Sequence, residues 1–366
     1  MSPTASKIIV VIGATGAQGL AVIEALLKPA PDGSPSPYAV RAFTRDPQSK
    51  RGQELAARGV EVVKGTTYDL DSVLEAFKGA YGAYVNTDSF TLGEEKEIFT
   101  GMRLYEIAKQ VKTLKHYVWS SLDNVTKKSD YNPIYYAEHY AGKSRVTDWM
   151  KAQESVVSDG NMSWSVLTTG PYMDMLKMVG TSRNETDFFG PIKVRPDGTH
   201  VFVSPVAKGH IPMIALSDVG FFARYIFDHR EEASAQELEV ASDLVGWDYL
   251  VETFTKVTGK KAVYVPLSLE EYFGLLNQDD VNKQVASGAP PGSTTFKENF
   301  MRWWRLYRDD ILTRDFDWIR RIHPDLHTLE SWMREEGYTG EVRADLLKEY
   351  EDGQRRRPNV ERIAQL

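Results

Sequence analysis

Three glycines lie at three-residue intervals near the start of the chain, at Gly13, Gly16 and Gly19. The apolar run 7–12 before them is typical of a buried parallel strand, and residues 17–28 after them are typical of a helix. In such a turn the first glycine allows a tight bend, the second lets backbone approach a pyrophosphate, and the third lets helix and strand pack closely. The helix also directs its first amides at the phosphates. We therefore predict a dinucleotide site, with these contact residues: Gly13, Thr15, Gly16, Ala17, Gln18 and Gly19.

The residues after the second predicted strand, 38–44, indicate which dinucleotide binds. A carboxylate at this place accepts a hydrogen bond from the ribose 2′-hydroxyl of NAD. The chain instead has Arg45, whose guanidinium can hold a 2′-phosphate through two hydrogen bonds and can stack on adenine. Arg45 favours NADP(H) as the cofactor, and the neighbouring Asp46 leaves NAD(H) as the alternative.

Strand and helix patterns alternate through the first half of the chain. The predicted strands are 7–12, 38–44, 60–63, 80–85, 116–120 and 164–168, and the predicted helices are 17–28, 47–59, 71–78, 94–111 and 134–155. This alternation calls for right-handed crossovers and a parallel sheet covered on both faces. The predicted fold class is α/β, a doubly wound parallel sheet with a smaller α+β lobe from the C-terminal half.

The alternation stops near residue 170, which gives a predicted domain organisation. We expect a nucleotide-binding domain over 1–170, a smaller substrate or partner lobe over 171–335 that partly returns to the sheet, and a charged extension over 336–366. The region 298–335 is rich in aromatic residues. It predicts a packed helical subcore, with an aromatic substrate or partner surface as the alternative.

Composition excludes several classes of function. The chain has 366 residues, a net charge of −7 and no cysteine. The negative charge argues against nucleic-acid binding, and the missing cysteines exclude disulfides and cysteine-ligated zinc. No apolar run reaches the length of about 18 residues that a membrane span requires. We predict no metal site and no membrane partner, and we expect a cytoplasmic protein, or a nuclear one if it is a regulator. The oligomeric state stays open.

Taken together, these motifs resemble the NmrA-like family of atypical short-chain dehydrogenase/reductases. The matching segments are 11–19, 43–47, 65–71, 85–88, 115–121, 138–143, 169–172 and 211–218. The resemblance implies a Rossmann domain that binds NADP(H), with a smaller lobe beside it. The family includes reductases of small molecules and also redox-sensing regulators that bind the nucleotide without turning it over and contact other proteins.

The resemblance also implies further site residues. It places Asp69 and Thr87 among the cofactor contacts, and it places the ring of Tyr172 near the nicotinamide. Lys143 matches the lysine that holds the nicotinamide ribose, and Ser121 or its neighbour Ser120 matches a carbonyl-binding hydroxyl.

The proton donor is left open by the sequence. The wider superfamily has a tyrosine four residues before the lysine, and this chain has His139 at that position. His139 can act as an acid because imidazole titrates near neutrality. Tyr140 and Tyr136 lie three and seven residues before Lys143, so all three side chains lie on the same helix face as the lysine. The predicted catalytic set is Lys143, His139, Tyr140 and Ser121.

Two functions are consistent with these residues. The first is an NADP(H)-dependent oxidoreductase that reduces a carbonyl, an imine or an activated double bond of a small apolar molecule. The second is a non-catalytic NADP(H)-binding regulator that acts through protein partners. The missing Tyr-x-x-x-Lys pair favours the regulator, and the apolar segment after Tyr172 favours a substrate pocket.

Overall fold

The computed structural model describes residues 7–30, 32–177, 189–290, 292–341 and 357–366. The chain divides into two compact units, each built from three segments. Unit 1 consists of Met1–Leu122, Gly142–Thr169 and Ser217–Glu239, and unit 2 consists of Asp123–Ala141, Gly170–Leu216 and Val240–Leu366.

The strands of the described residues are short and numbered in chain order. They are β1 (Lys7–Ile12), β2 (Tyr38–Thr44), β3 (Glu61–Lys64), β4 (Gly82–Val85), β5 (His116–Leu122), β6 (Ser163–Thr169), β7 (Lys193–Val194), β8 (His200–Ser204), β9 (Ile211–Met213), β10 (Glu237–Glu239), β11 (Asp243–Val245) and β12 (Ala262–Pro266).

The helices of the described residues are numbered in the same way. They are α1 (Ala17–Leu27), α2 (Lys50–Ala57), α3 (Leu70–Phe77), α4 (Ser89–Leu92), α5 (Glu94–Gln110), α6 (Val125–Lys128), α7 (Glu138–Lys151), α8 (Leu216–Asp228), α9 (Arg230–Ala233), α10 (Trp247–Thr258), α11 (Leu269–Gly274), α12 (Gln278–Val281), α13 (Phe296–Arg308), α14 (Phe316–Ile322), α15 (Leu329–Glu335) and α16 (Val360–Ala364). Short 3₁₀ helices occupy Pro133–Tyr135 and Met173–Lys177. None of the helices described is both long enough and apolar enough to cross a membrane.

Unit 1 is built on a seven-stranded parallel sheet in the order β10-β6-β5-β4-β1-β2-β3. The chain lays β2 and β3 on one side of β1, then crosses to lay β4, β5, β6 and β10 on the other side. The central strands β4 and β6 are buried along their whole length, as expected for a sheet covered on both faces. The predicted doubly wound α/β class is confirmed.

One predicted helix differs from the structure, and one strand was not predicted. The helix predicted over 134–155 is shorter, because Pro133–Tyr135 form a separate 3₁₀ turn that ends at Tyr136 in an extended conformation (ψ 100°), so α7 begins only at Glu138. The sequence analysis also did not predict β10, which has three residues and pairs with β6. A strand this short has too few residues to show a periodic pattern.

Unit 2 contains two small sheets, β12-β8-β7 and β11-β9, together with most of the helices after α9. Its aromatic-rich region packs inward, and the buried side chains there are Trp303, Trp304, Tyr307 and Trp332. Their burial confirms the predicted helical subcore. The domain limits at 170 and 335 remain predictions, and residues 342–356 of the predicted charged extension lie outside the described part of the chain.

Candidate functional site

The glycine turn between β1 and α1 needs its first and third glycines for backbone packing. Gly13 has a φ of +81°, and a Cβ there would lie 2.7 Å from the carbonyl oxygen of Asn86. A Cβ on Gly19 would lie 2.1 Å from the carbonyl oxygen of Gly13. Both contacts are shorter than any real Cβ makes, so a side chain at either position would force the backbone apart.

The second glycine is less crowded than the other two. Gly16 is the N-cap of α1 with a φ of −81°, a backbone conformation that any residue adopts. A Cβ there would meet the carbonyl oxygen of Gly13 at 3.3 Å and no other described atom within 4 Å. The first turn of α1 carries no acidic side chain, and first-turn amides have no acceptor within their helix. Gly16 therefore borders a space that an anionic ligand can enter.

The side chains of Gln18 and Arg51 hold the glycine turn in place. The side-chain oxygen of Gln18 accepts hydrogen bonds from the hydroxyl groups of Tyr84 at 2.8 Å and Ser120 at 2.5 Å. Buried Arg51, which the sequence analysis did not single out, donates to the carbonyl oxygen of Thr15 at 2.8 Å. The side-chain oxygen of Gln18 is therefore used inside unit 1, and the nucleotide contact of Gln18 remains a prediction.

The exposed guanidinium of Arg45 makes no hydrogen bond or ion pair with any described residue. The neighbouring carboxylate of Asp46 is engaged locally, because it accepts from the backbone amide of Gln48 at 2.9 Å. The ring of Tyr68 is 56% exposed; burial raises its pKa, and the charge of Arg45 partly opposes that effect. Arg45 is thus available to an anion, whereas Asp46 stabilises the turn that follows β2.

Asp69 caps a helix. Its carboxylate accepts a hydrogen bond from the backbone amide of Ser72 at 3.3 Å, which satisfies one of the first amides of α3. Nothing in this geometry supports the nucleotide contact predicted for Asp69.

Lys143 of α7 is buried in a polar network at the carboxyl end of β4. Its ammonium donates to Asn86 Oδ1 at 3.1 Å, to the Thr87 carbonyl oxygen at 2.8 Å and to Thr87 Oγ1 at 3.2 Å. Glu97 Oε1 lies 3.2 Å away and forms an ion pair with it. The structure thus brings the predicted residues Lys143 and Thr87 together, next to the strand end that touches Gly13.

Glu97 is the residue of this network that the sequence analysis missed. It is fully buried, and its Oε1 accepts a hydrogen bond from Thr87 Oγ1 at 2.6 Å. Among the described residues, no group donates to its Oε2. A Cβ on Gly142 would lie 2.8 Å from that oxygen, so the glycine gives Glu97 room. The signal in the sequence is that Glu97 lies in phase with the buried face of α5.

Ser121 has its hydroxyl engaged inside unit 1. Its Oγ lies 2.8 Å from Thr147 Oγ1 and 3.2 Å from the carbonyl oxygen of Leu122. The side chain is buried, and these contacts link the end of β5 to α7. The geometry assigns Ser121 a structural contact and gives no support to its predicted catalytic role.

The first turn of α7 belongs to unit 2, where His139 is buried. Its Nδ1 lies 2.9 Å from Nδ2 of Asn299 on α13. The imidazole stacks on Phe300 with ring centroids 5.2 Å apart and contacts the edge of Tyr140 at 4.9 Å. The position of His139 is therefore fixed by residues about 160 positions later in the chain.

Tyr140, the other predicted donor, is also buried in unit 2. Its hydroxyl lies 2.6 Å from that of Tyr307. Burial raises the pKa of Tyr140 to about 12, and the charge of Asp123 adds to that effect. A catalytic tyrosine needs a lowered pKa, so the geometry argues against Tyr140 as the acid.

Tyr172 lies in a backbone pairing of unit 2. It forms a parallel bridge with Ile214, flanked by the hydrogen bond from the Met173 amide to the Ile214 carbonyl oxygen at 2.9 Å. Gly170 allows this approach, because a Cβ there would lie 2.7 Å from the carbonyl oxygen of Pro212. The cofactor contact of Tyr172 remains a prediction.

The described residues contain no group of three or more metal-ligating side chains placed to hold a metal ion. The parallel sheet, the glycine turn and the open position at Gly16 define a Rossmann-type protein. The sequence model of the NmrA-like family matches residues 5–287, and the chain belongs to that family. The predicted resemblance is confirmed.

Curated relatives carry matching descriptions. An NmrA-like family domain-containing oxidoreductase of Aspergillus hancockii is 29% identical over 280 residues, which cover 74% of this chain and 78% of that protein. A second, from Cladobotryum sp., is 29% identical over 313 residues and covers 79% of this chain and 86% of its own length.

Solved structures share the fold. NmrA, a negative transcriptional regulator whose structure contains NADP, superimposes with a TM-score of 0.67 at 19% identity, covering 91% of this chain and 95% of its own. An NADPH-dependent quinone oxidoreductase of Escherichia coli, solved with NADPH, gives 0.62 at 20% identity and covers 90% of this chain and all of its own.

Proposed function

We propose that this protein is an NADP(H)-dependent oxidoreductase that reduces a carbonyl, an imine or an activated double bond of a small apolar molecule. The observation that carries the proposal is the contrast within the glycine turn. Protein atoms crowd Gly13 and Gly19, whereas a Cβ at Gly16, at the N-terminus of α1, would meet a single described atom, the Gly13 carbonyl oxygen at 3.3 Å. A turn that leaves only its middle glycine open fits a pyrophosphate.

The environment of Arg45 supports the choice of NADP(H) over NAD(H). The guanidinium has no partner among the described residues, and the Asp46 carboxylate accepts from the Gln48 amide. A 2′-phosphate would give Arg45 two charge-assisted hydrogen bonds, and the exposed ring of Tyr68 is placed to contact the adenine. Among the structural neighbours, the quinone oxidoreductase was solved with NADPH, whereas NmrA was solved with NADP and also with NAD, so the preference rests on Arg45.

Lys143 and Thr87 are proposed to support the ribose of the nicotinamide half. The ammonium fixes the Asn86 side chain and the Thr87 backbone, and Asn86 touches the glycine turn at Gly13. The bound coenzyme supplies a hydride, and the reduced product needs one proton as well. His139 is the proposed hydrogen-bond donor to the substrate, because Tyr140 is engaged with Tyr307, and solvent water supplies the proton.

The second candidate function, a nucleotide-sensing regulator, is favoured by the state of Tyr140. Its raised pKa and its bond to Tyr307 make Tyr140 a poor replacement for the phenolic acid that the wider superfamily has at the position of His139. NmrA itself is a negative transcriptional regulator. The curated relatives named above are described as oxidoreductases, and these descriptions support the enzyme as the first candidate.

A pair of glycine-to-valine variants tests coenzyme binding. Gly16→Val would place methyl groups in the space proposed for the pyrophosphate, and we expect at least about a tenfold loss of NADPH affinity by calorimetry. The protein should stay folded with a small fall in melting temperature, because the added Cβ would lie 3.3 Å from the Gly13 carbonyl oxygen. Gly160→Val is the matched control, because a Cβ at Gly160 meets nothing within 4 Å. It should keep full affinity. A Gly16→Val protein that binds NADPH normally would refute the site.

A substrate screen then separates the two functions. We expect the wild-type protein to oxidise NADPH in the presence of one or more apolar ketones, imines or enones. Coenzyme binding without any turnover across the screen would favour the regulator.

A further inference from the structure

Asn299 on α13 is fully buried, and both ends of its side-chain amide contact the first turn of α7. Its Oδ1 accepts a hydrogen bond from the backbone amide of Glu138 at 2.8 Å. Its Nδ2 lies 2.9 Å from Nδ1 of His139. Asn299 lies beyond residues 5–287, which the family model matches, so this contact comes from the C-terminal part of the chain.

The amide of Asn299 has one acceptable orientation. Rotating it by half a turn would place its NH₂ group against the Glu138 amide, where two donors would face each other across 2.8 Å. The observed orientation therefore directs NH₂ at the imidazole. Since an NH₂ group only donates, Nδ1 of His139 must accept, and the ring proton of His139 must be on Nε2.

Neighbouring rings hold the imidazole in the plane that this bond requires. The Phe300 ring stacks on it with an interplanar angle of 27°, and Tyr140 meets it edge-on at 88°. Protonation of Nδ1 would put two N–H donors face to face and break the contact with Asn299. The site is built for a neutral ring.

We propose that Asn299 is a positioning residue that keeps His139 in the neutral Nε2–H tautomer, so that His139 acts as a hydrogen-bond donor and not as an imidazolium acid. The use of this donor on the carbonyl or imine group of a substrate rests on the proposed reductase function. The tautomer itself does not, because it follows from contacts within unit 2.

Nitrogen NMR on the full-length protein tests the tautomer directly. The chain has seven histidines, and ¹⁵N labelling gives each ring its own pattern of long-range proton–nitrogen signals. The pattern that is missing in His139→Gln belongs to His139. At pH 7 we expect the pattern of a neutral ring protonated on Nε2. A His139 ring protonated on Nδ1 only, or on both nitrogens, would overturn the proposal. This test needs no variant of Asn299.

The isosteric variant Asn299→Asp tests the positioning role. A carboxylate still accepts from the Glu138 amide but also accepts at the imidazole, so His139 should gain a proton on Nδ1 in the NMR spectrum. Asn132→Asp is the control, because Asn132 is an exposed cap in the same unit and aspartate caps equally well. Its His139 pattern should match the wild type.

Kinetics connect the tautomer to the reaction. In Asn299→Asp we expect kcat to fall at least about tenfold, with the NADPH dissociation constant unchanged, since the ring keeps its place but not its proton arrangement. A changed NMR pattern with unchanged kcat would overturn the role of Asn299 in the reaction. A wild-type protein that turns over no substrate would instead refute the proposed function, and the NMR spectrum would still decide the tautomer.

Discussion

The two units bury ion pairs of different completeness. In unit 2, Asp123 accepts from both terminal nitrogens of Arg314 at 2.8 Å and from Lys128 at 2.7 Å, so both carboxylate oxygens are paired. In unit 1, Glu97 pairs with Lys143 through Oε1 alone, and among the described residues nothing donates to its Oε2.

This difference indicates what each pair does. A buried carboxylate whose oxygens are all paired holds its segments together, and losing one partner is costly. The Glu97–Lys143 pair is less complete, and it supports Asn86 and Thr87 next to the glycine turn. We infer that the pair in unit 2 serves stability, and that the pair in unit 1 serves the coenzyme site.

The largest effect is expected from breaking the complete pair. Arg314→Leu would leave the Asp123 carboxylate buried with Lys128 as its one cation among the described residues, so unfolding free energy should fall by about 3–5 kcal/mol. Urea unfolding followed by tryptophan fluorescence measures this. Lys50→Ala is the control, since its pair with Glu54 is exposed and should change stability by less than about 0.5 kcal/mol. A small effect of Arg314→Leu would contradict the structural role.

Acid unfolding should report the same pair. Burial alone raises the pKa of Asp123, but Arg314 and Lys128 outweigh it and hold that pKa below its ordinary value. A carboxyl group whose pKa is lowered by folding stabilises the folded state at every pH above its unfolded pKa of about 4. That stabilisation is lost as the pH falls from there toward the pKa of the folded state. The wild-type protein should therefore lose stability below about pH 4. In Asp123→Asn, the unfolding free energy should fall less steeply with pH, measured at the same urea concentrations.

A smaller effect is expected from the incomplete pair. Glu97→Gln keeps an acceptor for Thr87 but removes the counter-charge of Lys143, which retains Asn86 and Thr87 as acceptors, so stability should fall by about 2 kcal/mol. Adding Lys143→Met should restore part of that loss, because no charge then stays buried alone. A double variant whose loss equals the sum of the two single losses would show that the pair is not coupled.

The smallest effect on stability is expected at Arg45. Arg45→Ala removes an exposed cation without a described partner, so stability should change by less than about 0.5 kcal/mol. Its preference for NADPH over NADH should nevertheless fall about tenfold or more, because a charge-assisted contact to the 2′-phosphate is lost. Calorimetry with both coenzymes measures the ratio. Lys50→Ala should leave it unchanged, and an unchanged ratio in Arg45→Ala would remove the arginine from the site.

Regular elements with a strong local pattern could be predicted from the sequence. The strand at 38–44 has the predicted limits, and the helix at 94–111 ends one residue early as α5. The limits of α7 could not be predicted, because Pro133 and the positive φ of Tyr131 act before a pattern that continues to look helical. The returning strand β10 depends on pairing with β6, a contact across 70 residues of sequence.

The candidate site also has a part that the sequence predicted and a part that it did not. The glycine spacing identified the turn because Gly13 and Gly19 answer local steric requirements. The partners of the polar residues were not predictable, since Glu97, Asn299 and Tyr307 lie on elements far from Lys143, His139 and Tyr140 in sequence. Sequence spacing placed the last three on one helix, and only packing decided which of their polar atoms were already bound.

The sequence by itself determined the alternation of strands and helices, the family and the backbone turn at Gly13–Gly19, because periodicity and glycine sterics act over a few residues. The tertiary structure decided that Gly16 borders open space, that Asp69 caps a helix and that Asn299 directs the imidazole of His139. Hydrogen bonds are short and directional, so a side chain's state depends on atoms that folding brings to it.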